Sequence, residues 1–157
     1  MSKLSVLRDF QRGAHEALNR CLSVLISAPT GLGKTRAAIF PFAFNLKDKR
    51  KLGVRIIYTL PIRALAEGIK EEFSAFNIEP VIHHGEDPES KMFRERAVIT
   101  TVDQYFTAFA GAPLSWASSA AHAAGGAVLA SYTVFDEVHL LSPRKGLPML
   151  FAVVKLR

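Results

Sequence analysis

Several features are scarce or absent in this sequence, and each absence excludes a class of protein. Among 157 residues there is one cysteine, Cys21, which excludes an internal disulfide and a multi-cysteine zinc site. Cys21 falls on the apolar side of a helical pattern, which predicts a small core residue. No apolar run reaches membrane-spanning length and the first residues carry no signal peptide, so we expect a cytoplasmic protein with no membrane partner.

The composition that remains is that of one globular domain with a substantial core. Hydrophobic residues make up 49% of the chain and charged residues 22%, as in folded proteins of this size. The net charge of +6 and pI near 9.7 indicate an anionic partner, with nucleic acid the first candidate. A generally basic surface explains the charge equally well.

One glycine-rich stretch organises the chain. An apolar run over 22–27 predicts a buried strand, and a helical pattern begins at Arg36. The sequence between them is typical of the phosphate-binding loop of nucleoside triphosphatases. In such loops inward-pointing backbone N–H groups cradle phosphates, a lysine reaches the β- and γ-phosphates, and a hydroxyl reaches Mg²⁺. The residues concerned are Ala28, Pro29, Thr30, Gly31, Leu32, Gly33, Lys34 and Thr35.

Strand and helix patterns alternate along the whole chain, which predicts an α/β fold with a mostly parallel sheet and helices on both faces. Further strands are predicted over 54–59, 80–83, 97–100 and 132–135. Helices are predicted over 4–20, 36–47, 63–76, 87–96, 102–110 and 147–154, with a helix-then-loop connector over 115–127.

An acidic pair, Asp136 and Glu137, follows the last predicted strand. Two carboxylates at the end of an apolar strand are costly unless a cation or hydrogen bonds compensate them. Behind a phosphate loop, this position predicts an Asp that holds Mg²⁺ and a Glu that orients or deprotonates the attacking water. Taken alone, the pair could also cap the next turn.

The motifs together resemble a known family, the DExH helicases of superfamily 2. Asp136-Glu137-Val138-His139 matches the motif that names the group, and Arg8-Asp9-Phe10-Gln11 resembles its upstream glutamine motif. Within superfamily 2, Leu60-Pro61-Ile62-Arg63-Ala64-Leu65 and Thr100-Thr101-Val102-Asp103-Gln104 are most similar to the CRISPR-associated helicase of type I systems.

That resemblance implies a RecA-like domain that binds ATP with Mg²⁺, held at Thr35 and Asp136, and uses Lys34, Asp136 and Glu137 in hydrolysis. It places Gln11 against the adenine edge. It also implies contacts of Thr59, Arg63, Thr101 and Gln104 with a single-stranded DNA backbone, a task suited to hydroxyl, amide and guanidinium groups. Its further partners would be a second RecA-like domain, an HD nuclease and a crRNA-guided surveillance complex.

The chain also departs from the family's pattern. The Ser-Ala-Thr motif, the second RecA-like domain and any His-Asp dipeptide are missing from residues 1–157. We therefore expect the first RecA-like domain alone, which binds Mg-ATP but turns it over poorly because the arginine finger of the second domain is missing. His83 and His84 are adjacent on a predicted strand, so they point to opposite faces and cannot chelate one ion together.

Two other functions stay open. The chain could be a lobe of another superfamily 2 motor, such as a restriction-type translocase. It could also be a non-catalytic module that binds single-stranded nucleic acid through its basic surface, in which case binding would not depend on Lys34.

Overall fold

The computed structural model of this protein describes residues 7–48, 52–83, 93–111 and 118–156. The chain divides into two compact units, Met1–Leu52 and Gly53–Arg157. The predicted helix over 87–96 falls largely outside the described residues, as do residues 4–6, His84 and the start of the connector over 115–127. No helix in the described part of the chain is long and apolar enough to cross a membrane.

The first unit is a pair of helices, α1 (Asp9–Asn19) and α2 (Lys34–Asp48). The ring of His15 in α1 lies edge-on to Phe40 and Phe44 of α2, with ring centroids 5.5 and 5.4 Å away. Edge-to-face aromatic contacts of this kind add to the burial of apolar surface. The helix predicted over 36–47 is confirmed, and the one predicted over 4–20 begins later, at Asp9.

The predicted strand over 22–27 and the predicted core position of Cys21 are both wrong in this structure. Cys21 is exposed and has φ +60°. The N–H of Leu22 donates to the Ala17 carbonyl and that of Cys21 to the Leu18 carbonyl, at 3.1 and 2.9 Å. These two bonds form a Schellman motif, which ends α1 and places Cys21 at its left-handed C′ position.

The segment after this turn has no regular secondary structure, and Leu25 is 84% exposed. A strand is stabilised by ladder hydrogen bonds to a neighbour and by side chains packed on a covered face. Within the described residues, no strand pairs with 22–27. Apolar composition alone therefore did not specify a strand here.

The second unit is built on a four-stranded parallel sheet, which confirms the predicted α/β fold. Its strands are β1 (Ile56–Leu60), β2 (Val81–His83), β3 (Ala97–Thr101) and β4 (Tyr132–Phe135), in the order β2-β3-β1-β4. Ile57 of β1 pairs with Val98 of β3 and with Thr133 of β4. All four carboxyl ends therefore lie at one edge of the sheet.

Helices cover both faces of this sheet. They are α3 (Ala66–Ser74), α4 (Val102–Phe109), α5 (Ser118–Leu129) and α6 (Gly146–Leu156). Ile57 belongs to the core that α4, α5 and α6 share on one face, together with Tyr105, Val128 and Val153. Tyr58, its neighbour in β1, points to the other face, where its ring meets Phe73 of α3 edge-on at 5.9 Å. This alternation follows from the period of two in a strand.

Candidate active site

Two glycines shape the loop between α1 and α2. Gly31 has φ +78° and Gly33 has φ +84°, a region that residues with a side chain rarely adopt. A Cβ at Gly33 would also lie 3.0 Å from Nε2 of Gln11. The carbonyl of Gly33 accepts the first bond of α2, from Ala37 N–H at 3.0 Å. The loop thus leads directly into a helix N-terminus, whose free N–H groups and dipole favour an anion.

Lys34 opens α2, and its side chain folds back over the loop. Its Nζ donates to the carbonyl of Ala28 at 2.8 Å and to that of Pro29 at 3.3 Å. An ammonium group carries three donors, so a third remains for an acidic oxygen. The positive charge is therefore held at the mouth of the loop by the loop's own backbone.

Gln11 fastens the start of α1 to the same loop. Its Oε1 accepts from the Arg8 backbone N–H at 3.0 Å, and its Nε2 donates to the Gly33 carbonyl at 3.1 Å. The Arg8 guanidinium donates to the Leu32 carbonyl at 3.1 Å. The resemblance implied a contact of Gln11 with the adenine base of ATP, but it did not predict these bonds to the loop. The signal was present, because Arg8 and Gln11 stand in the same short motif.

Asp136 lies directly beyond β4, where its backbone N–H donates to the Thr59 carbonyl at 3.0 Å. Both of its side-chain oxygens have partners: Oδ1 accepts from Glu137 N–H at 2.9 Å, and Oδ2 accepts from the Tyr58 hydroxyl at 2.7 Å. The carboxylate is half-buried. It is therefore fixed in position and still reachable from solvent.

Glu137 turns the chain away from the strand direction. Its φ of 48° and ψ of 40° are left-handed, a conformation that costs a residue with a side chain about 1–2 kcal/mol. Its Oε2 lies 3.2 Å from Nδ1 of His139, which belongs to the short 3₁₀ turn Val138–Leu140. The histidine of the same motif thus lies next to the Glu137 carboxylate.

The four residues predicted to contact nucleic acid do not all reach the surface. Arg63 is exposed, and Thr101 and Gln104 are half-buried. Arg63 and Thr101 line the same cavity of about 10 Å³ at the ends of β1 and β3, room for about one water. Thr59 is fully buried, and its hydroxyl donates to the Val134 carbonyl at 2.9 Å. Its side chain therefore belongs to the interior of the sheet.

Thr101 also has a structural task. Its hydroxyl accepts from the backbone N–H of Gln104 at 3.4 Å and so caps α4. Such a cap stabilises a helix by about 1 kcal/mol. The cap accounts for a threonine at this position without any nucleic acid.

The model of the DEAD/DEAH box helicase family matches residues 8–155. The chain belongs to this family. The match covers nearly the whole chain, including the phosphate loop and the acidic pair, and it establishes the helicase ATP-binding domain of superfamily 2 with its RecA-like fold.

Three relatives show the range of similarity. The chain is 42% identical over 72 residues to "DExH-box ATP-dependent RNA helicase DExH9" of Arabidopsis thaliana, which covers 43% of this chain and 7% of that protein. It is 31% identical over 118 residues to "Putative helicase 7" of Sulfolobus islandicus filamentous virus, covering 66% of this chain and 18% of that protein. It is 28% identical over 147 residues to human "Activating signal cointegrator 1 complex subunit 3", covering 88% of this chain and 6% of that protein. The chain thus spans less than a fifth of each relative.

Helicases of this family use ATP with Mg²⁺, and the residues present fit that pair. The loop offers backbone amides, a helix N-terminus and an ammonium group to phosphates. An ionised carboxylate has about four lone-pair sites, so Asp136, with one bond to each oxygen, keeps capacity for water on a metal. Within the described residues there is no cluster of three or more histidine, cysteine or acidic side chains that could hold a different metal.

His83 lies in the core of the second unit. It is buried in β2, and its ring packs on that of Phe93 with centroids 4.8 Å apart. His84, the other half of the pair, lies outside the described residues.

Proposed function

We propose that this chain is the ATP-binding lobe of a DExH helicase, which holds Mg-ATP and contacts one strand of nucleic acid. The observation that carries the proposal is the geometry of the loop that ends at Lys34. Its two left-handed glycines, the helix that begins at Lys34 and the ammonium held over the loop are the parts that a triphosphate site needs.

Each site residue then has one task. The backbone amides of Thr30, Gly31, Leu32 and Gly33 and the side chain of Lys34 hold the phosphates, and Thr35 and Asp136 are assigned to Mg²⁺ from their places in the motifs. When bound, Mg²⁺ neutralises negative charge on the phosphates. Glu137 accepts a proton from the attacking water, and His139, whose Nδ1 lies 3.2 Å from Oε2 of Glu137, helps to orient the carboxylate.

Gln11 is assigned to the adenine edge, and its hydrogen bonds leave capacity for that task. Nε2 keeps a second N–H and Oε1 keeps a second lone pair. One donor and one acceptor match the N7 acceptor and N6 donor of adenine. Gln11 would then connect the base to the loop that holds the phosphates.

The ATP site can be tested by thermal protection. Mg-ATP should raise the melting temperature of the chain, because a ligand that binds only the folded state stabilises it. Lys34→Ala should abolish the shift, while Lys145→Ala, which removes an exposed lysine outside the site, should keep it. Equal shifts in both variants would contradict the proposal.

A finer proposal concerns the nucleic acid and the biological setting. The segments Leu60–Leu65 and Thr100–Gln104 support a helicase that acts on single-stranded DNA in CRISPR antiviral defence. Its partners would be a second RecA-like domain, an HD nuclease and a crRNA-guided complex. Similarity to "DExH-box ATP-dependent RNA helicase DExH9" favours a second candidate, an RNA helicase.

Fluorescence anisotropy with matched DNA and RNA oligonucleotides separates these candidates. Tighter binding of DNA would support the CRISPR setting, and tighter binding of RNA the second candidate. In either case Arg63→Ala should weaken binding of all sequences alike and lower its salt dependence, because a phosphate contact carries no base information. Binding that is unchanged in Arg63→Ala would show that Arg63 does not contact the nucleic acid.

A further inference from the structure

A buried tyrosine reaches the acidic pair from the neighbouring strand. Tyr58 lies in the middle of β1 and is only 1% exposed. Its Cα is paired with that of Val134 in β4, and Asp136 follows Val134 by two residues, on the same face. The phenol extends along that face to Asp136, where its hydroxyl donates to Oδ2 at 2.7 Å. The ring itself packs edge-on against Phe73 of α3.

The two oxygens of Asp136 are thus held by groups from two different elements. Glu137 N–H binds Oδ1 from the following turn, and Tyr58 binds Oδ2 from β1. One bond to each oxygen fixes the rotation of the carboxylate plane as well as its position. The remaining lone pairs then point in defined directions, which matters for a ligand that binds Mg²⁺ because this ion requires a near-ideal octahedral arrangement.

We propose that Tyr58 is a positioning residue for the metal ligand Asp136, and that it raises the affinity of the site for Mg²⁺ without touching the nucleotide. This inference rests on the proposed function, in which Asp136 serves Mg²⁺. It adds a residue that no motif of the sequence singled out. Partners that orient metal ligands commonly change metal affinity by about 10–100-fold when they are removed.

A purely structural explanation is that Asp136 only satisfies a buried hydroxyl. The same unit contains a matched control for this explanation. Tyr105 of α4 is fully buried, and its hydroxyl pairs with Thr133 of β4 at 3.3 Å. Thr133 lies on the opposite face of β4 from Val134 and Asp136. Tyr105→Phe therefore removes a buried hydroxyl next to the same strand and leaves the carboxylate alone.

The experiment measures ATP binding by calorimetry at a series of Mg²⁺ concentrations. In Tyr58→Phe, which keeps the ring and its contact with Phe73, the Mg²⁺ concentration at half-maximal affinity should rise about tenfold, the low end for such partners. ATP affinity at saturating Mg²⁺ should stay as in the unsubstituted chain. Tyr105→Phe should leave the Mg²⁺ midpoint unchanged. An unchanged midpoint in Tyr58→Phe, or an equal rise in Tyr105→Phe, would overturn the inference.

A double-mutant cycle tests whether Tyr58 acts through Asp136. In an Asp136→Asn background, Tyr58→Phe should cause no further rise of the Mg²⁺ midpoint, whereas two additive shifts would overturn the inference. Melting temperatures of the same four proteins without ligand test the contact itself and should be non-additive. An unsubstituted chain that binds ATP with no dependence on Mg²⁺ would contradict the proposed role of Asp136. ATP binding that depends on Mg²⁺ with the same midpoint in Tyr58→Phe as in the unsubstituted chain would contradict the role of Tyr58 alone.

Discussion

The phosphate loop of the first unit and the acidic strand end of the second are built in different ways. In the loop, Lys34 binds a carbonyl six residues earlier and Gln11 binds one 22 residues later. At the strand end, Tyr58 binds a carboxylate 78 residues later. The loop is shaped by glycine backbone angles and a helix start, whereas the strand end is shaped by the pairing of β1 with β4.

This difference explains what each region requires of the sequence. A short motif can specify the loop, because Gly31 and Gly33 supply their conformations locally. The position of Asp136 needs the pairing of β1 with β4, since its backbone N–H and its Oδ2 are both bound by residues of β1. Substitutions in the loop should therefore act through local backbone angles, and those at the strand end through the pairing of β1 with β4.

The largest expected effect separates the buried sheet from the exposed segment before the loop. Ile57→Ala in β1 should cost about 2–5 kcal/mol, because it removes a fully buried side chain and leaves a cavity. Leu25→Ala should change stability by no more than about 0.5 kcal/mol, because Leu25 is largely exposed. Urea unfolding of both variants measures the difference. If Leu25→Ala lowered the free energy of unfolding by as much as Ile57→Ala, Leu25 would be buried, as the predicted strand over 22–27 requires.

The next effect concerns backbone angles, and two glycines of the first unit form a matched pair. Gly33→Ala should destabilise the chain by roughly 1–2 kcal/mol and weaken ATP binding, because its φ is positive and the new Cβ meets Gln11. Gly13→Ala in α1 has open space around it and should stabilise by up to about 1 kcal/mol. Thermal unfolding and ATP titration of both variants test this. Equal effects of the two substitutions would show that the loop does not depend on its glycine angles.

A smaller effect tests the connection between the base and the loop. Gln11→Ala should reduce the preference for ATP over GTP by about 1–2 kcal/mol, because a paired amide contact discriminates adenine. Competition binding of the two nucleotides measures that preference. If ATP and GTP weaken equally, Gln11 serves only to hold Gly33. The variant His139→Ala, which alters the second unit instead, should leave the preference unchanged.

The smallest effect tests the corrected position of the cysteine. Cys21→Ser should change the free energy of unfolding by less than about 0.5 kcal/mol, as expected for an exposed residue. The folded chain should also react with a thiol reagent as fast as a small free thiol does. Slow labelling would show that Cys21 is buried. A loss of about 1–3 kcal/mol in the free energy of unfolding, as expected for a buried polar group, would show the same.

Much of the fold was predictable because its elements have local signals. Strand β4 has the bounds that its apolar run predicted, and α2 begins at the loop as its glycines and lysine predicted. The strand over 22–27 was not predictable, since a strand needs a neighbour that composition does not reveal. The predicted core position of Cys21 was wrong for a related reason, because the helical spacing of apolar residues continues beyond the Schellman motif that ends α1.

The site divides along the same line. Gly31 and Gly33 have positive φ and Lys34 begins α2, features that a short motif specifies locally. The contact of Tyr58 with Asp136 and the burial of Thr59 depend on the register of β1 against β4. A single sequence carries no signal for that register, so an aromatic residue in a strand is indistinguishable from ordinary core.

The central claim is that the loop ending at Lys34 binds Mg-ATP. Calorimetric titration of Mg-ATP into the purified chain tests it most directly, with Lys34→Ala as the variant and Lys145→Ala as the control. We predict one site per chain, lost in Lys34→Ala and retained in Lys145→Ala. A folded chain without binding, or binding that survives Lys34→Ala, would contradict the claim.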